Sequence, residues 1–523
     1  MVSTRRSKRD TAETRETDIT VYGATGFVAR HVLEYLLATA AMEEVHTSLK
    51  ITLGGRNQVK LDDIQTYLQT EFLDKAATET SKPQCCTVTL DTWIADSADA
   101  EALLAMAKRT RVVLNCAGPF QLYGTGVVKA CVEGNTHYVD ITGEAPWAGQ
   151  MRGTLGSNNR TNTNRIISFC GFDSVPSDLA IYVAVRALKK QANGKNDNTD
   201  IQISNGTTWH AAFGLLNGGT LHTALDMPMD MSHCIYESDG KFRKVPFLVC
   251  DPLELAHPTL VKHHVSYKGW KNRLAWREWT NQLLSVDTQF RCGVSVPFLM
   301  APVNTKVVNA TAAALNYSSP NTDGKNDGFT YGERFLPLGF RATSAIGIFS
   351  FIAALFFQLI LGLVFLVFKL PSLGKHLAIK LMPPGTGSPD LINEQGYGTV
   401  YAEVLTSPKK GEVQKKGTCM LQMTGDPGNL ITAQCVGESA LTLLWTATED
   451  LPERSEDGFG TPMELMGSEL VMRLLQSKVR NVEIKASAKD AGYQWLFYVH
   501  ALFDMALATA VIKFIWNKFH TSP

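Results

Sequence analysis

Short apolar runs alternate with helical periodicities through the first third of the chain. Residues 18–23 (DITVYG) read as a β-branched strand. Residues 27–37 (FVARHVLEYLL) place apolar side chains at Val28, Val32 and Leu36, with a second row at Leu33 and Leu37, the spacing of an amphipathic helix. Further strands are expected at 49–53 (LKITL), 87–90 (TVTL), 111–115 (RVVLN), 137–141 (HYVDI) and 165–169 (RIISF), with helices from Gly124 and after Pro176. Apolar strands alternating with helices predict a Rossmann-like doubly wound parallel sheet buried on both faces. A polar linker, 191–200 (QANGKNDNTD), ends this part, and residues 397–404 and 417–424 read as a strand pair in a second, mixed α/β domain.

The pattern divides the chain into a flexible tail (1–17), a dinucleotide-binding domain (18–190), and the first part of a mixed α/β domain (201–340). An apolar segment (345–368), the second part of the mixed domain (396–500) and an apolar C-terminal helix (501–523) follow. The segment 345–368 (AIGIFSFIAALFFQLILGLVFLVF) runs for 24 positions without a charge. As a helix it would be about 36 Å long against a hydrocarbon core of about 30 Å, which predicts a membrane-associating helical segment. The run 501–516 is interrupted by Asp504 and Lys513 and reads either as an interfacial anchor or as a terminal core helix.

The candidate chemistry lies where strand meets helix. Gly23-Ala24-Thr25-Gly26, followed by Phe27, links the first strand to the first helix. Glycines there let the backbone approach a pyrophosphate, and the helix's unsatisfied amides and dipole attract its charge. An NAD site expects an acidic residue at the end of the second strand for the ribose 2′-hydroxyl. This strand ends instead in Gly54-Gly55-Arg56-Asn57. A guanidinium suits a 2′-phosphate and a carboxylate repels one, so the expected cofactor is NADP, with NAD the alternative and a solvated Arg56 the plainer reading. Asp91 ends the third strand in this reading. After the fourth, Ala117, Gly118 and Pro119 allow close approach to the nicotinamide side.

No general acid stands out. Tyr123 and Asp173 are the catalytic candidates by position, although Tyr123 reads equally as packing on the cofactor loop and Asp173 as a turn or cap carboxylate. Asp140 and Glu144 either polarise a substrate or tie down a loop. Tyr267 and Lys271 have the Tyr-x-x-x-Lys spacing of short-chain dehydrogenases, but lie far from the sixth strand and match it by chance.

Composition narrows the partners. Fifty basic residues balance fifty acidic ones, so nucleic-acid binding would need a local basic stripe, which is absent. The ten cysteines lack a C-x-x-C pair, and His263-His264 belong to no H-E-x-x-H motif, so no metal is expected. The charged N-terminus has no apolar core, which argues against a secretory signal.

Four blocks resemble the saccharopine dehydrogenase-like oxidoreductases, a family that includes trans-acting enoyl reductase-like proteins. They are VYGATGFVAR, then NCAGPFQLYGTGVVKACVEGNTHYVDITGE at 115–144, GFDSVPSDLA at 171–180 and GDPGNLITAQCVGESALTLL at 425–444. The resemblance implies membrane- or lipid-droplet-associated relatives and a substrate approach near Asn217-Gly218-Gly219-Thr220. It also implies a substrate or dimerisation domain, hence a homodimer, and a helix after Gly425-Asp426-Pro427-Gly428-Asn429 that returns to the dinucleotide domain. One bilayer crossing would then part 425–444 from the fold they complete, so a hairpin or a helix within one leaflet is expected, with Lys369, Lys375 and Lys380 at the headgroups.

The expectation is a cytosolic-side, membrane- or lipid-droplet-associated oxidoreductase that transfers a hydride to or from a hydrophobic lipid or acyl substrate. A non-catalytic dinucleotide-binding scaffold at a lipid surface is the rival, favoured by the missing acid. Saccharopine-type amino-acid oxidoreduction is the second alternative, and it lacks the cation cluster that several substrate carboxylates require.

Overall fold

The computed structural model describes residues 15–46, 48–74, 86–193, 201–214, 232–236, 242–246, 285–287, 293–317, 329–337, 339, 352–360, 363, 376, 380, 383, 386–408 and 411–491. Its first sheet contains β1 (Thr17–Tyr22), β2 (Ser48–Gly55), β3 (Thr87–Ile94), β4 (Thr110–Asn115), β5 (His137–Asp140) and β6 (Ile166–Ile167). From far along the chain comes a seventh strand, β15 (Phe459–Gly460), and the order is β15-β6-β5-β4-β1-β2-β3 with every pair parallel. The order reverses between β1 and β4, the switch point at which doubly wound sheets place ligands.

Burial on both faces explains why these strands read as nearly unbroken apolar runs. Along β4, Val112 and Leu114 join one core cluster while Val113, between them, joins the other. Helix α1 (Phe27–Ala41) covers the first face with Val32, Leu33, Leu36 and Leu37. Helices α3 (Ala100–Arg109) and α4 (Phe120–Glu133) cover the second with Leu103, Met106, Val127 and Val128. The remaining helix at this edge, α2 (Gln58–Leu68), follows β2, and α5 (Ala145–Leu155) follows β5. Arg15 secures the other end of the sheet: its guanidinium donates to the carbonyls of Ala107, Lys108, Thr110, Gly134 and Asn135, where α3 and α4 end.

The second sheet is mixed, which is why its strands carry more polar positions. It contains β7 (Ile203–Phe213), β10 (Ser285–Asp287), β11 (Gly293–Pro297), β12 (Thr330–Phe335), β13 (Tyr397–Thr406), β14 (Lys415–Thr424) and β16 (Val482–Asp490), in the order β10-β11-β12-β7-β13-β14-β16. Only β12 and β7 run parallel. A separate hairpin joins β8 (Ser232–Tyr236) to β9 (Phe242–Pro246).

Two helices tie the sheets together. Helix α6 (Val175–Asn193) starts at the carboxyl edge of the parallel sheet and lies across β13, β14 and β16, so close that Gly417 has no room for a Cβ against the Ala184 carbonyl. Helix α9 (Thr432–Trp445) returns to the first sheet, where Gly437 admits the Tyr35 ring of α1 and nearly every side chain from Thr432 to Leu444 is buried. Helix α7 (Ala301–Ala314) packs between α6 and β12, and the short α8 (Asp390–Gln395) precedes β13.

The expected membrane-associating apolar helical segment at 345–368 is corrected. Among the described residues no helix is long and apolar enough to cross a membrane. Of that segment the structure describes residues 352–360, which are helical, and residue 363. At 1.5 Å per residue the described helix is about 14 Å long. Its apolar side chains also serve protein packing: Ala354 is buried with Val294 and Val296, and the Phe357 ring stacks on Phe335 with centroids 5.2 Å apart. An uncharged run thus reads the same whether it meets lipid or a sheet. Asn217–Thr220, His263-His264, Tyr267–Lys271, residues 1–14 and residues 501–516 lie outside the described residues.

Candidate active site at the switch point

At the end of β1 the chain turns through Gly23, whose φ of +77° is a left-handed conformation that favours glycine. A Cβ there would lie 2.9 Å from the Ala117 Cβ, so the residue type also sets how closely the β1 and β4 turns approach. The Gly23 and Ala24 amides donate to the Gly54 carbonyl at 2.9 and 3.1 Å, and the Gly26 amide to the Gly23 carbonyl at 2.9 Å. Gly26 is the N-cap of α1. No side chain caps this end, and the first turn holds no acidic residue. The first helical bond runs from Arg30 N–H to Gly26 O, leaving the preceding amides and the positive dipole end open to an anion. Thr25 is exposed beside them, and Ala24 is buried beneath.

The other helix at the switch point is closed. Phe120 N–H and Gln121 N–H, the first amides of α4, donate to the two carboxylate oxygens of Glu144, both at 2.8 Å. Burial raises the Glu144 carboxyl above its ordinary range, and these two bonds partly offset the rise. Glu144 is therefore a cap, and Asp140 is a brace: it accepts from Thr142 N–H, Ser168 Oγ and Phe169 N–H, and burial pushes it up to about 6.

The candidate residues fall into distinct places. Arg56 is exposed directly after β2 and forms no ion pair or hydrogen bond with any of the described residues. It faces the same edge as Asp96: both charges act on the Tyr22 phenol, which burial pushes up to about 12. Asn57 caps α2, accepting the Lys60 amide at 3.1 Å. Asp91 stands inside β3, which runs on to Ile94, and its carboxylate meets Arg109 at 3.1 Å. Ala117 and Pro119 are half-buried and Gly118 is exposed beside the Gly23 turn. The Phe27 ring packs on Gly387, in a segment that Ser388 anchors to Asp426 at 2.8 Å, so the GDPGN block holds chain against the start of α1. Tyr123 is 37% exposed on the first turn of α4. Asp173 is half-buried before α6 without a hydrogen bond to a described residue, and burial plus the charge of Glu333 push it up to about 6.

A second polar group was missed by sequence reasoning. Glu333 on β12 is buried and accepts from Ser177 Oγ at 2.6 Å, from Tyr331 OH at 3.0 Å and from Asn304 Nδ2 at 3.1 Å. His210 Nε2 on β7 lies 2.9 Å from the same carboxylate. Ser174 Oγ donates to Asn304 Oδ1 at 2.8 Å, which latches the Asp173 loop to the cluster. The available signal was polar alternation: Thr208 and His210 on β7, Tyr331 and Glu333 on β12, in strands whose register pairs Glu333 with Thr208. Recognising it required knowing that those two strands are neighbours. Among the described residues no group of His, Cys, Asp and Glu has the arrangement of a metal site.

Residues 19–167 match the family model of the saccharopine dehydrogenase NADP binding domain. Over those residues the chain is similar to the NADP-binding domain of saccharopine-dehydrogenase-like oxidoreductases. A Mycobacterium tuberculosis protein whose name assigns it provisionally to the trans-acting enoyl reductases is 28% identical over 477 residues, 89% of this chain and 96% of that one. The trans-acting enoyl reductase of Mycobacterium bovis is 27% identical over 404 residues, 75% and 82% of the two chains. A lipid droplet localized protein of Caenorhabditis elegans is 32% identical over 229 residues, 43% of this chain and 48% of that one. Among solved structures, apo saccharopine dehydrogenase (L-Glu forming) from Saccharomyces cerevisiae is similar at 13% identity and a TM-score of 0.41, covering 90% of this chain and 99% of that chain. The family's NADP-binding domain coincides with the sheet that carries the open turn.

Proposed function

We propose that this protein reduces a carbonyl or activated double bond of a hydrophobic acyl or lipid-linked substrate with NADPH, at the cytosolic side of a lipid-droplet or similar lipid surface. The observation that carries the reading is the uncapped end of α1, joined to the exposed, unpaired Arg56 one strand away. Gly23, Ala24, Thr25, Gly26 and Phe27 would line the pyrophosphate, with Arg56 and Asn57 at the 2′-phosphate. Ala117, Gly118 and Pro119 would flank the nicotinamide. Asp91, engaged by Arg109, is left at the margin of the site. The bound cofactor supplies the hydride, and the chain's residues orient it, exclude water and supply the proton.

The hydrophobic substrate is supported by the rim. Leu122, Tyr123 and Leu299 are 59%, 37% and 46% exposed. Glu144 holds the start of α4, and the Met300 methyl lies 3.5 Å from the Cβ position of neighbouring Gly143, so these side chains belong to one edge. Two relatives named as enoyl reductases and one named as lipid-droplet localized agree in pointing to acyl or lipid chemistry. Tyr123 on this rim and Asp173 across from it are the proposed substrate-facing polar groups.

Fluorescence titration with NADPH and NADH, followed by a lipid-extract screen for NADPH consumption, tests the reading. Tighter NADPH binding with lipid-dependent turnover is expected. NADPH binding without turnover of any lipid fraction would replace the enzyme reading with a scaffold, and no binding would remove the role given to the α1 turn.

A further inference from the structure

The buried cluster beyond the cofactor turn has one feature that structural packing leaves unexplained. Glu333 Oε1 receives His210, Ser177 and Tyr331, and Asn304 donates to the same carboxylate, so a single anion is held by donors from β7, α6, α7 and β12. His210 Nε2 is committed to that carboxylate. His210 Nδ1 is buried without a hydrogen-bond partner among the described residues. An unmatched ring nitrogen is costly in a packed interior, whichever way it is protonated. As imidazolium it presents an N–H without an acceptor, and as imidazole a lone pair without a donor.

The covering is thin. The Phe298 ring lies flat on His210, centroids 4.3 Å apart and planes 5° apart, and Phe298 is itself half-exposed on the segment that reaches Gly143 through Met300. Beneath, Ser174 joins the Asp173 loop to the Glu333 carboxylate through Asn304. The couple therefore sits between the Asp173 loop at the carboxyl edge of the parallel sheet and the Phe298 ring, whose chain neighbour Leu299 is one of the exposed apolar residues of the rim.

We infer that His210 is the residue that exchanges the reaction's proton at Nδ1, with Glu333 holding Nε2–H and Phe298 acting as the cover that substrate displaces. This rests on the NADPH-dependent reduction proposed above. In that reduction a C–H bond of the reduced nicotinamide breaks and a C–H bond forms at the substrate carbon. The π electrons of the acceptor move to its oxygen, or through it to the α-carbon, and the new anionic position takes the proton from His210 Nδ1. The imidazole left behind keeps its Nε2–H on Glu333, and solvent restores the Nδ1 proton after product leaves and before the cover closes. Among the described residues the titratable groups shown to interact with the couple are Tyr331 on β12, which donates to Glu333, and Asp173 before α6, on which the Glu333 charge acts. A general acid must carry its proton, so the rate is expected to fall toward alkaline pH.

The test uses the full chain with NADPH and a long-chain trans-2-enoyl thioester as probe. His210→Asn is expected to bind NADPH as the parent does, to lose about a hundredfold or more in kcat, and to lose the fall in rate at alkaline pH. Parent-like kcat and pH profile in His210→Asn would overturn the proposal. Glu333→Gln, which keeps an acceptor for Nε2 and removes the charge, is expected to shift the alkaline limb and leave NADPH binding intact; an unshifted limb counts against the couple. Failure of the parent to bind NADPH or reduce the thioester would fall on the proposed function. The couple is then read separately by diethyl pyrocarbonate labelling of His210, located by peptide mass spectrometry. Labelling at least tenfold faster in Phe298→Ala than in the parent supports a reactive Nδ1 under a removable cover. Equal labelling rates overturn it.

Discussion

The two helices that begin at the switch point share a sheet edge and differ in who supplies the negative charge. Helix α4 ends on the protein's own carboxylate, with both Glu144 oxygens on its first amides. Helix α1 ends on Gly26, which has no side chain to offer, and its first turn holds no acid. Both ends carry the same dipole and the same orphan amides. The difference is a carboxylate that the loop after β5 brings to α4 and that α1 lacks, and it separates a terminus used for stability from a terminus kept for an anion.

The strongest way to break that comparison is to make α1 resemble α4. Gly26 has φ −76° and ψ 155°, extended values that any residue adopts, so Gly26→Asp can place a carboxylate at the open end without a dihedral change, although its Cβ, 3.2 Å from the Gly23 carbonyl oxygen, requires the turn to yield slightly. Like charges about 4 Å apart at an effective dielectric near 20 repel by about 4 kcal/mol, so NADPH affinity should fall about a hundredfold or more. The urea midpoint should change little, because Asp in place of Gly at an N-cap stabilises a helix by only a few tenths of a kcal/mol, which the close Cβ contact with the Gly23 carbonyl offsets. Unchanged NADPH titration in this variant would show that the open end is not the phosphate site.

The converse change empties α4. Glu144→Ala leaves the Phe120 and Gln121 amides without their acceptor in a largely buried place, at a cost of roughly 1–3 kcal/mol per unsatisfied group. Urea denaturation should show the loss, whereas an unchanged midpoint would mean water replaces the carboxylate freely. Arg56→Ala sharpens the comparison on the cofactor side: NADPH affinity should drop about tenfold with NADH affinity unchanged, since one exposed charge-assisted contact contributes about 1.4 kcal/mol. An equal drop for both nucleotides would move Arg56 away from the 2′-phosphate.

The smallest effect is a pH dependence. Burial raises the Glu144 carboxyl above its ordinary value of 4.5, so the folded protein holds the proton more tightly than the unfolded chain. That contribution to stability is full below 4.5 and is lost as pH rises through the shifted value. Glu144→Gln, which keeps an oxygen acceptor without the charge, should flatten this part of the urea midpoint's decline as pH rises above 4.5. A decline of the same slope in both proteins would assign it to the other buried carboxylates, Asp140 and Asp173 at about 6 and Asp178 at about 7.

The parallel sheet was legible because each of its strands carries its own pattern. The runs ITVY, ITL and VVL carry apolar or β-branched residues at successive positions, as burial on both faces requires. Gly23 and Gly26 were legible for the same local reason, a glycine pair between strand and helix. The role of Glu144 was not, because a carboxylate capping its own loop and one facing a substrate look alike until the 24-residue separation from Phe120 is closed in space. Asp91 was misplaced by a strand end: β3 continues to Ile94, and only the register against β2 shows it. The apolar run at 345–368 shows the opposite failure, a strong local pattern whose partner the pattern leaves open. Its described part lies on Val294, Val296 and Phe335.

From its sequence alone this protein has a strand-turn-helix unit with a glycine turn, an arginine in place of the acid after the second strand, and the alternation that builds a doubly wound sheet. Those are properties of residues close together in the chain, governed by local sterics and hydrophobic periodicity. Tertiary structure decided which helix end stays open, since the cap on α4 comes from the next βα loop. It also decided that β15, a two-residue strand from position 459, completes the first sheet, and that His210 and Glu333 meet across a parallel pair of strands separated by more than a hundred residues. Such contacts depend on how the chain closes its long loops, and no short stretch of sequence carries that information.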